Sequence, residues 1–328
     1  MFFGMRCVLV GALITACSDE PGLRPQPQPP SQACRADQPC TAGHCPGARK
    51  ITVGVQRCAL LCDDTVRCSE SGDSFTATAD TAPLDVVVDG ATDLVSGALH
   101  SCALLRDGAV TCWGNNRWGA LGLEADRTDR WYAPAAMPGL SHVVALSARD
   151  AFYQFDWTCA LEEDGEVACW GYDLVGVTRV PELKGARAIR VGDGEVYGLM
   201  SDRRVLMYSF NTGVKEFELA RPVRDLEAGW HAFCAGDGAS LQCIDMIYQD
   251  ELVAMPLPGQ YRKLAHGWSK PLIIDDQSRV HVGDAQTPDT WTPMPELDRA
   301  LGLATGVTVA GGACGLFVDG RITCVEAL

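Results

Sequence analysis

Paired cysteines are the residues of this sequence whose type and spacing most directly suggest chemistry. The chain has 328 residues and 16 cysteines. Four pairs lie ten positions apart with an aspartate midway, and a fifth pair is one residue closer: Cys58 and Cys68, Cys102 and Cys112, Cys159 and Cys169, Cys314 and Cys324, and Cys234 and Cys243. Thiols so placed could form disulfides, hold a metal or carry redox chemistry. Redox catalysis usually uses Cys-x-x-Cys, and none of these pairs has that spacing.

The residues between the paired cysteines predict a β-hairpin. In HSCALLRDGAVTCWG, residues 100–114, two β-prone runs flank Asp107-Gly108, which is a strong turn signal. Equal offsets from the turn place Cys102 opposite Cys112 on antiparallel strands. Opposed residues there have Cα atoms about 4.5–5.5 Å apart, which is within disulfide range. We therefore predict one disulfide inside each such hairpin.

The hairpin pattern occurs seven times along the chain. Its turn aspartates are roughly 43 residues apart on average: Asp63, Asp107, Asp164, Asp202, Asp237, Asp276 and Asp319. A period of about 40–50 residues with several short strands per unit is typical of propeller blades. The sequence thus predicts an all-β fold, a seven-bladed β-propeller over residues 51–328 with disulfides inside its blades.

Two of the seven units lack the paired cysteines, and each lacks both. Tyr197 and Met207 take their places in the fourth unit, and Pro271 and His281 take them in the sixth, counted from Asp276. Loss in pairs favours a covalent partnership between the two positions, because independent buried thiols could be lost singly.

The N-terminal residues have the composition of an export signal. Residues 1–16 contain a short apolar run, too short to span a bilayer, that ends in small residues before Cys17. This arrangement resembles the lipobox of bacterial lipoproteins and implies a lipid on Cys17. An ordinary signal peptide cleaved nearby is the alternative. Ser18 favours the outer membrane of a Gram-negative cell envelope as the location, and residues 17–33, rich in proline, predict a disordered tether.

A small cysteine-rich segment, residues 34–50, precedes the repeats. Cys34, Cys40 and Cys45 lie close together beside His44. They could form a disulfide knot with Cys62 as the fourth member or, alternatively, a zinc site. The even number of cysteines left after Cys7 and Cys17 favours disulfides in an oxidising compartment.

The second unit, SGALHSCALLRDGAVTCWGNNRWGALG, resembles the regulator of chromosome condensation repeat family. The residues that carry the resemblance run from Gly97 and His100 through Asp107 and Gly108 to Trp113 and Gly114. The resemblance implies a seven-bladed propeller but not one function, because the family includes a nuclear exchange factor, an ultraviolet receptor and secreted inhibitors of β-lactamase. Trp113 and Trp170 stand at repeat positions, which favours structural roles for them.

A binding module is the function that the sequence favours. Net charge is −15, which argues against nucleic acid as a partner. The longest connection follows Trp113 and carries aromatic and arginine side chains of the types enriched at protein interfaces: Trp118, Arg127, Arg130, Trp131 and Tyr132. We expect a monomeric, non-catalytic propeller without cofactor or metal, anchored to the membrane through its lipid and binding an envelope protein or a glycan. The plainer interpretation is that Trp118 packs under its own loop and its neighbours are solvated.

Two other functions are consistent with the sequence. A carbohydrate lyase or hydrolase could use carboxylates on a propeller face, although no familiar catalytic motif is present. A permanent subunit of an envelope assembly is the other. Three histidines, His100, His231 and His266, stand at or near equivalent repeat positions, and we expect them to pack between blades rather than to catalyse.

Overall fold

The structure is a computed structural model that describes residues 47–54, 57–69, 86–125, 130–149, 157–171, 174–249, 251–267, 270–305 and 313–325. All of them belong to one compact unit, Cys34–Leu328. The predictions for the export signal, the lipid on Cys17, the tether and the three cysteines before residue 46 lie outside these residues. Within the described ranges, no helix has the length and apolar character needed to cross a membrane.

Seven antiparallel sheets make up the fold, and each is formed by one continuous stretch of chain. Six sheets have four strands, while the seventh has three among the residues described. Two short 3₁₀ helices, Pro181–Leu183 and Pro295–Leu297, lie between sheets. The strands are, blade by blade, β1 Ala48–Val53, β2 Arg57–Leu61, β3 Val66–Ser69 and β4 Val86–Val88; β5 Ala91–Ser96, β6 His100–Leu105, β7 Val110–Asn115 and β8 Trp131–Ala136; β9 Val143–Arg149, β10 Trp157–Glu162, β11 Val167–Gly171 and β12 Thr178–Arg179; β13 Ala188–Val191, β14 Val196–Leu199, β15 Arg204–Ser209 and β16 Gly213–Glu218; β17 Asp225–Ala228, β18 Ala232–Gly236, β19 Leu241–Asp245 and β20 Val253–Met255; β21 Tyr261–His266, β22 Pro271–Asp275, β23 Val280–Gly283 and β24 Trp291–Pro293; β25 Gly302–Thr305, β26 Ala313–Leu316 and β27 Ile322–Val325.

The seven sheets close into a ring through their first strands. β1 contacts β5, β5 contacts β9, and the series continues through β13, β17, β21 and β25 back to β1. At the closure, Ile51 and Leu61 of the first blade pack with Cys314 and Leu316 of the seventh. The prediction of a seven-bladed propeller is therefore confirmed. β1 begins three residues before the expected boundary at residue 51.

The two ends of the ring differ in the connections that they carry. Successive strands of a blade are antiparallel, so first-to-second and third-to-fourth connections lie at one end, which we call the loop face. Second-to-third turns and blade-to-blade connections lie at the other end, the turn face. The turns with the predicted aspartates are therefore on the turn face, and the connection after Trp113 is on the loop face.

Large side chains between neighbouring blades form the core. Trp113 is buried among residues of the first two blades, including Leu60 and Leu94. Trp170 of the third blade packs with Leu121 and other residues of the second. Burying a side chain of this size stabilises the fold by about 2–3 kcal/mol. Both tryptophans therefore have the structural role that the repeat pattern favoured.

All five predicted hairpin disulfides are present. The Cα atoms of each pair lie 4.0–4.1 Å apart, and each pair is directly opposed in the strand register. In the fourth blade Tyr197 faces Met207, as expected. Each bridge closes a loop of about ten residues within one hairpin and is worth roughly 2–3 kcal/mol on a chain-entropy model.

The sixth blade corrects one part of the prediction. Leu272 faces Val282 there, so these residues, and not Pro271 and His281, take the places of the cysteines. The turn is centred one residue later than Asp276, because Ser278 has the left-handed conformation (φ 65°) that Gly108 has in the second blade (φ 81°).

Asp275 explains how the sixth turn forms without an aspartate at its centre. Its buried carboxylate accepts hydrogen bonds from the backbone N–H groups of Gln277 and Arg279, at 3.0 and 2.8 Å. His281 Nε2 also lies 3.1 Å from it. These hydrogen bonds and the nearby Arg279 guanidinium hold the pKa of the Asp275 carboxyl below its usual value, although burial opposes them.

Cys62 is a disulfide-bonded residue of the turn face. It lies in the first blade's turn, where its backbone N–H donates to the carbonyl of Gly47 at 2.8 Å. Cys62 is disulfide-bonded, and the other ten described cysteines are paired with one another. Its partner therefore lies outside the described residues.

Candidate functional site on the loop face

The loop face carries several of the propeller's exposed apolar side chains. Leu123, Val175, Ile247 and Tyr248 are exposed by 47, 85, 42 and 66% respectively, and all four lie in third-to-fourth connections. Large exposed apolar groups on a rigid face are a common feature of protein-binding surfaces. The same face presents the turns between first and second strands, which surround the centre of the ring.

Two buried asparagines fix the connection after Trp113. Asn115 Oδ1 accepts a hydrogen bond from the Arg117 backbone N–H at 2.6 Å. Asn116 Oδ1 accepts one from the Leu121 N–H at 3.0 Å, and its Nδ2 donates to the Glu124 carbonyl at 2.9 Å. Leu121 is buried in the core, so hydrogen bonds of the asparagines and packing of Leu121 together hold this part of the connection in place.

An apolar patch lies where the second and third blades meet on this face. It consists of Trp118, Leu123, Leu174 and Val175. Trp118 is half-buried, with the Arg117 guanidinium 5.6 Å from the centre of its ring. The two connections abut, since a Cβ atom on Gly119 would lie 3.3 Å from the Leu174 carbonyl oxygen and 3.4 Å from that of Leu123.

The other predicted binding residues lie on the fourth strand of the second blade or just before it. Trp131 is paired in register with Asn115, which places it beside the same connection. The Arg130 guanidinium lies 4.9 Å from the centre of the Tyr132 ring, and Tyr132 packs against the blade core. Arg127 lies outside the described residues. The structure therefore brings Trp118 and Trp131 to one connection, while Tyr132 has a partly structural role.

A polar cluster at the centre of the loop face was not predicted from the sequence. It is formed by the turns 192–195 of the fourth blade and 229–231 of the fifth, each closed by a backbone hydrogen bond. His231 Nδ1 lies 2.8 Å from Glu195 Oε1, and its Nε2 lies 3.9 Å from Asp193 Oδ2. His231 is also in the left-handed conformation, with φ 46°.

Burial perturbs the acids of this cluster. It raises the pKa of Glu195 to about 7, although the neighbouring His231 opposes the shift. Burial also raises the pKa of Asp193, although the neighbouring His231 and a hydrogen bond from Trp230 act to lower it. The phenol of Tyr197, fully buried beside both carboxyls, has its pKa raised as well. Such a cluster can exchange a proton near neutral pH or bind a cation.

Arg149 crosses the centre of the ring at this face. From the third blade it donates to the carbonyl of Ala228 at 2.6 Å and to that of Gly267 at 3.1 Å, so it links three blades. His266 is buried beside it, and burial lowers the pKa of its imidazole to about 4. His266 is therefore held neutral at physiological pH.

The three histidines expected to pack between blades have different surroundings. His100 is buried, with Nε2 2.5 Å from Thr158 Oγ1 of the third blade, and His266 is also buried. His231 instead is 37% exposed and lies in the polar cluster. His231 joins the fourth and fifth blades through Glu195, a polar contact that the repeat register does not reveal.

One acidic group elsewhere has ligand atoms close enough to hold a metal. Glu162, Asp164 and Glu166 on the turn face have carboxylate oxygens within 4.8 Å of one another. Arg179 lies 2.5 Å from Glu162 and Lys184 lies 2.8 Å from Glu166. These two cations already compensate the acids, so the trio is accounted for as an ion-pair network.

A known repeat family accounts for part of this sequence. The profile of the regulator of chromosome condensation (RCC1) repeat matches residues 91–119, which comprise the first two strands and the turn of the second blade, its third strand and the start of the next connection. Over these residues the chain is similar to an RCC1 repeat. The match includes Cys102, Cys112 and Trp113, whose places in the hairpin and core are described above.

Several solved propeller structures share the fold. Prp20p of Saccharomyces cerevisiae, described with its binding to Gsp1p and histones, is 16% identical with a TM-score of 0.62, over 85% of this chain and 82% of that one. The CRINKLY WD40 ectodomain of the Arabidopsis thaliana receptor kinase ACR4 is 17% identical with a TM-score of 0.57, over 84% and 93%. Human WBSCR16 is 14% identical with a TM-score of 0.51, over 64% and 67%.

No curated protein sequence matches this chain significantly. At these identities, the structural neighbours establish the propeller fold of this chain and nothing about its ligand. The function must therefore be argued from the loop face itself.

Proposed function

We propose that this chain is a non-catalytic, protein-binding propeller of the bacterial cell envelope whose loop face receives the partner. The observation that carries the proposal is the apolar patch of Trp118, Leu123, Leu174 and Val175 on two abutting connections, the first of which is fixed by buried asparagines. A preordered surface loses little conformational entropy when it binds. Prp20p, a propeller of the same fold, is described as binding other proteins.

The expected lipid anchor fits this use of the loop face. The chain enters the first blade at the turn face, where Gly47 precedes β1 and Cys62 is disulfide-bonded. An anchor at Cys17 would leave the propeller folded as described and available to a partner in the envelope. Replacing Cys17 by serine should move the protein from the membrane fraction to the soluble envelope fraction.

Paired substitutions on the two faces test the binding surface. The purified chain with Leu123→Ser and Val175→Ser should lose the envelope protein that the unchanged chain retains in a pull-down, and so should Trp118→Ala. Val318→Ser is the matched control, because Val318 is 68% exposed but lies in a turn on the opposite face. Equal retention by all variants would contradict the use of this patch.

An envelope hydrolase or lyase is the second candidate. The observation that favours it is Glu195, an acid whose pKa is near 7 beside an imidazole, as general acid–base catalysis requires. Turnover of an envelope glycan that is abolished by Glu195→Gln would support this activity over a purely binding role.

A further inference from the structure

Three oxygen atoms near the centre of the loop face have no hydrogen-bond partner among the described residues. They are Asp193 Oδ1, Glu195 Oε2 and Tyr197 Oη, and all three are buried. Tyr197 is fully buried, and its phenol interacts electrostatically with both carboxyls. A buried acceptor without a donor costs about 1–3 kcal/mol. A Cβ atom built on Gly192 would lie 2.7 Å from Tyr197 Cε2 and 3.5 Å from Glu195 Oε2, so the phenol ring and this carboxylate border the same space.

We propose that the recess formed by Asp193, Glu195, Tyr197, Trp230 and His231 receives a primary ammonium group, the side chain of a lysine on the partner protein. This inference rests on the proposed binding role of the loop face. An ammonium group has three N–H donors, one for each of the three oxygens. Asp193 and Glu195 keep 12% of their side chains exposed, so the recess reaches solvent beside His231 and Trp230.

The charges in the recess match a monovalent cation. With both carboxyls ionised, two negative charges face the single positive charge of Arg149, which interacts with Asp193 and Tyr197. The net negative charge is therefore one, and one ammonium balances it. Trp230, half-buried with its ring 5.3 Å from that of His231, adds an aromatic face of the kind that attracts cations.

Other cations fit the recess less well. Of the described residues, the group whose ligand atoms all approach within 4.8 Å is the turn-face trio, and Asp193, Glu195 and His231 do not form such a group. A guanidinium has five donors in a rigid plane, two more than the oxygens that lack partners. A lysine side chain is long and flexible enough to place a compact charge at the bottom of a recess.

Binding of the amine should compete with protons. Burial raises the pKa of Glu195 to about 7, and that of Asp193 in the same direction, so lowering the pH neutralises the acids that attract the cation. Arg149 stays positive throughout. The affinity for the amine should therefore increase as the pH rises from 6 to 8.

Nuclear magnetic resonance titration of the full chain with small peptides tests the proposal. The probe is a blocked Gly-Lys-Gly peptide, with its Nε-acetyl-lysine and arginine counterparts as comparisons, and the readout is the indole N–H resonance of Trp230. We expect a saturable shift with the lysine peptide, a weaker one with arginine and none with acetyl-lysine. Glu195→Gln should weaken binding at least tenfold, and Tyr197→Phe several-fold. Glu163→Gln, an exposed acid of the turn face, should leave it unchanged.

The outcomes separate this inference from the proposed function. Absence of a saturable shift, an equal shift with acetyl-lysine or equal affinity for arginine would overturn the lysine site. An unaltered Kd in both Glu195→Gln and Tyr197→Phe, with folding checked by thermal unfolding, would overturn it too. If the recess fails while Leu123→Ser with Val175→Ser still abolishes capture of the partner, the binding role stands without the lysine site. If the lysine peptide binds the recess but capture of the partner does not depend on the patch, the lysine site stands and the proposed role of the patch is wrong.

Discussion

Glu195 of the fourth blade and His231 of the fifth are joined by a 2.8 Å contact between Oε1 and Nδ1, which links two neighbouring turns of the loop face. The two residues are 36 positions apart and lie in different repeats. Because the carboxyl is buried and the imidazole is partly exposed, the pair couples the protonation of this face to the pH of the surroundings.

The stability of the protein should therefore depend on Glu195 with a definite sign. Its pKa is raised from 4.5 to about 7 in the folded chain. Its contribution is fully present below pH 4.5 and is lost as the pH rises through 7. Relative to Glu195→Gln, the unchanged chain should lose Tm between pH 5 and pH 8. Scanning calorimetry of both proteins measures the difference, and Glu163→Gln should behave as the unchanged chain does. Parallel curves for Glu195→Gln and the unchanged chain would contradict the burial of this acid.

His266 should give the stability of the folded chain the opposite dependence on pH. Burial lowers its pKa from 6.5 to about 4, so the neutral form is favoured in the folded chain. The stability that this provides is present above pH 6.5 and is lost as the pH falls towards 4. His266→Gln should reduce the loss of Tm on acidification between those values. Titration near pH 6.5 of the C2 proton resonance that is missing from the His266→Gln spectrum would refute the prediction.

Each hairpin disulfide should contribute independently of the others to the free energy of unfolding. Replacing Cys102 and Cys112 together by serine should lower the free energy of unfolding by roughly 2–3 kcal/mol, the value for closing a loop of about ten residues. Denaturant unfolding monitored by fluorescence gives the number. The same double change at Cys159 and Cys169, another pair separated by ten residues, serves as the comparison, and a loss of all structure from either would show that the bridges do more than close local loops.

The corrected register of the sixth blade makes a covalent prediction. Cysteines at positions 272 and 282, introduced as Leu272→Cys and Val282→Cys, should oxidise to a disulfide because these residues are directly opposed. Pro271→Cys with His281→Cys should remain reduced. Mass spectrometry of non-reduced peptides distinguishes the two. A disulfide formed only in the protein with Pro271→Cys and His281→Cys would show that the turn is centred on Asp276.

Two leucines of one connection should differ sharply in their effect on stability. Leu121 is 6% exposed and packs between two blades, whereas Leu123 is 47% exposed. Leu121→Ala should cost about 2–4 kcal/mol through lost burial and a cavity. Leu123→Ala should change the free energy of unfolding by less than about 0.5 kcal/mol. Similar losses from both would mean that the connection is not ordered as described.

The fold was largely predictable because its signals are local and repeated. The offset of Cys102 and Cys112 from Asp107 determines their pairing, and seven such units imply a ring. The sixth unit shows the limit, since Asp275 and Asp276 are adjacent and the sequence cannot tell which precedes the turn. The pairing of His231 with Glu195 was beyond the sequence, because it depends on how far two turns lean towards each other across a blade boundary. The repeat pattern shows that Tyr197 stands in the place of a cysteine, but only the structure shows that its phenol lies near Asp193 and Glu195.

The five hairpin bridges also bear on how the chain becomes oxidised. Ten cysteines admit on the order of 900 pairings, yet each native pair is separated by only nine or ten residues. Contact across a loop of about ten residues forms within 10–100 ns, far faster than contact between distant blades. Each bridge can thus close inside its own hairpin before thiols of distant blades come into contact. If the chain is exported from its N-terminus, as proposed above, the order of the blades along the sequence is also the order in which their bridges form.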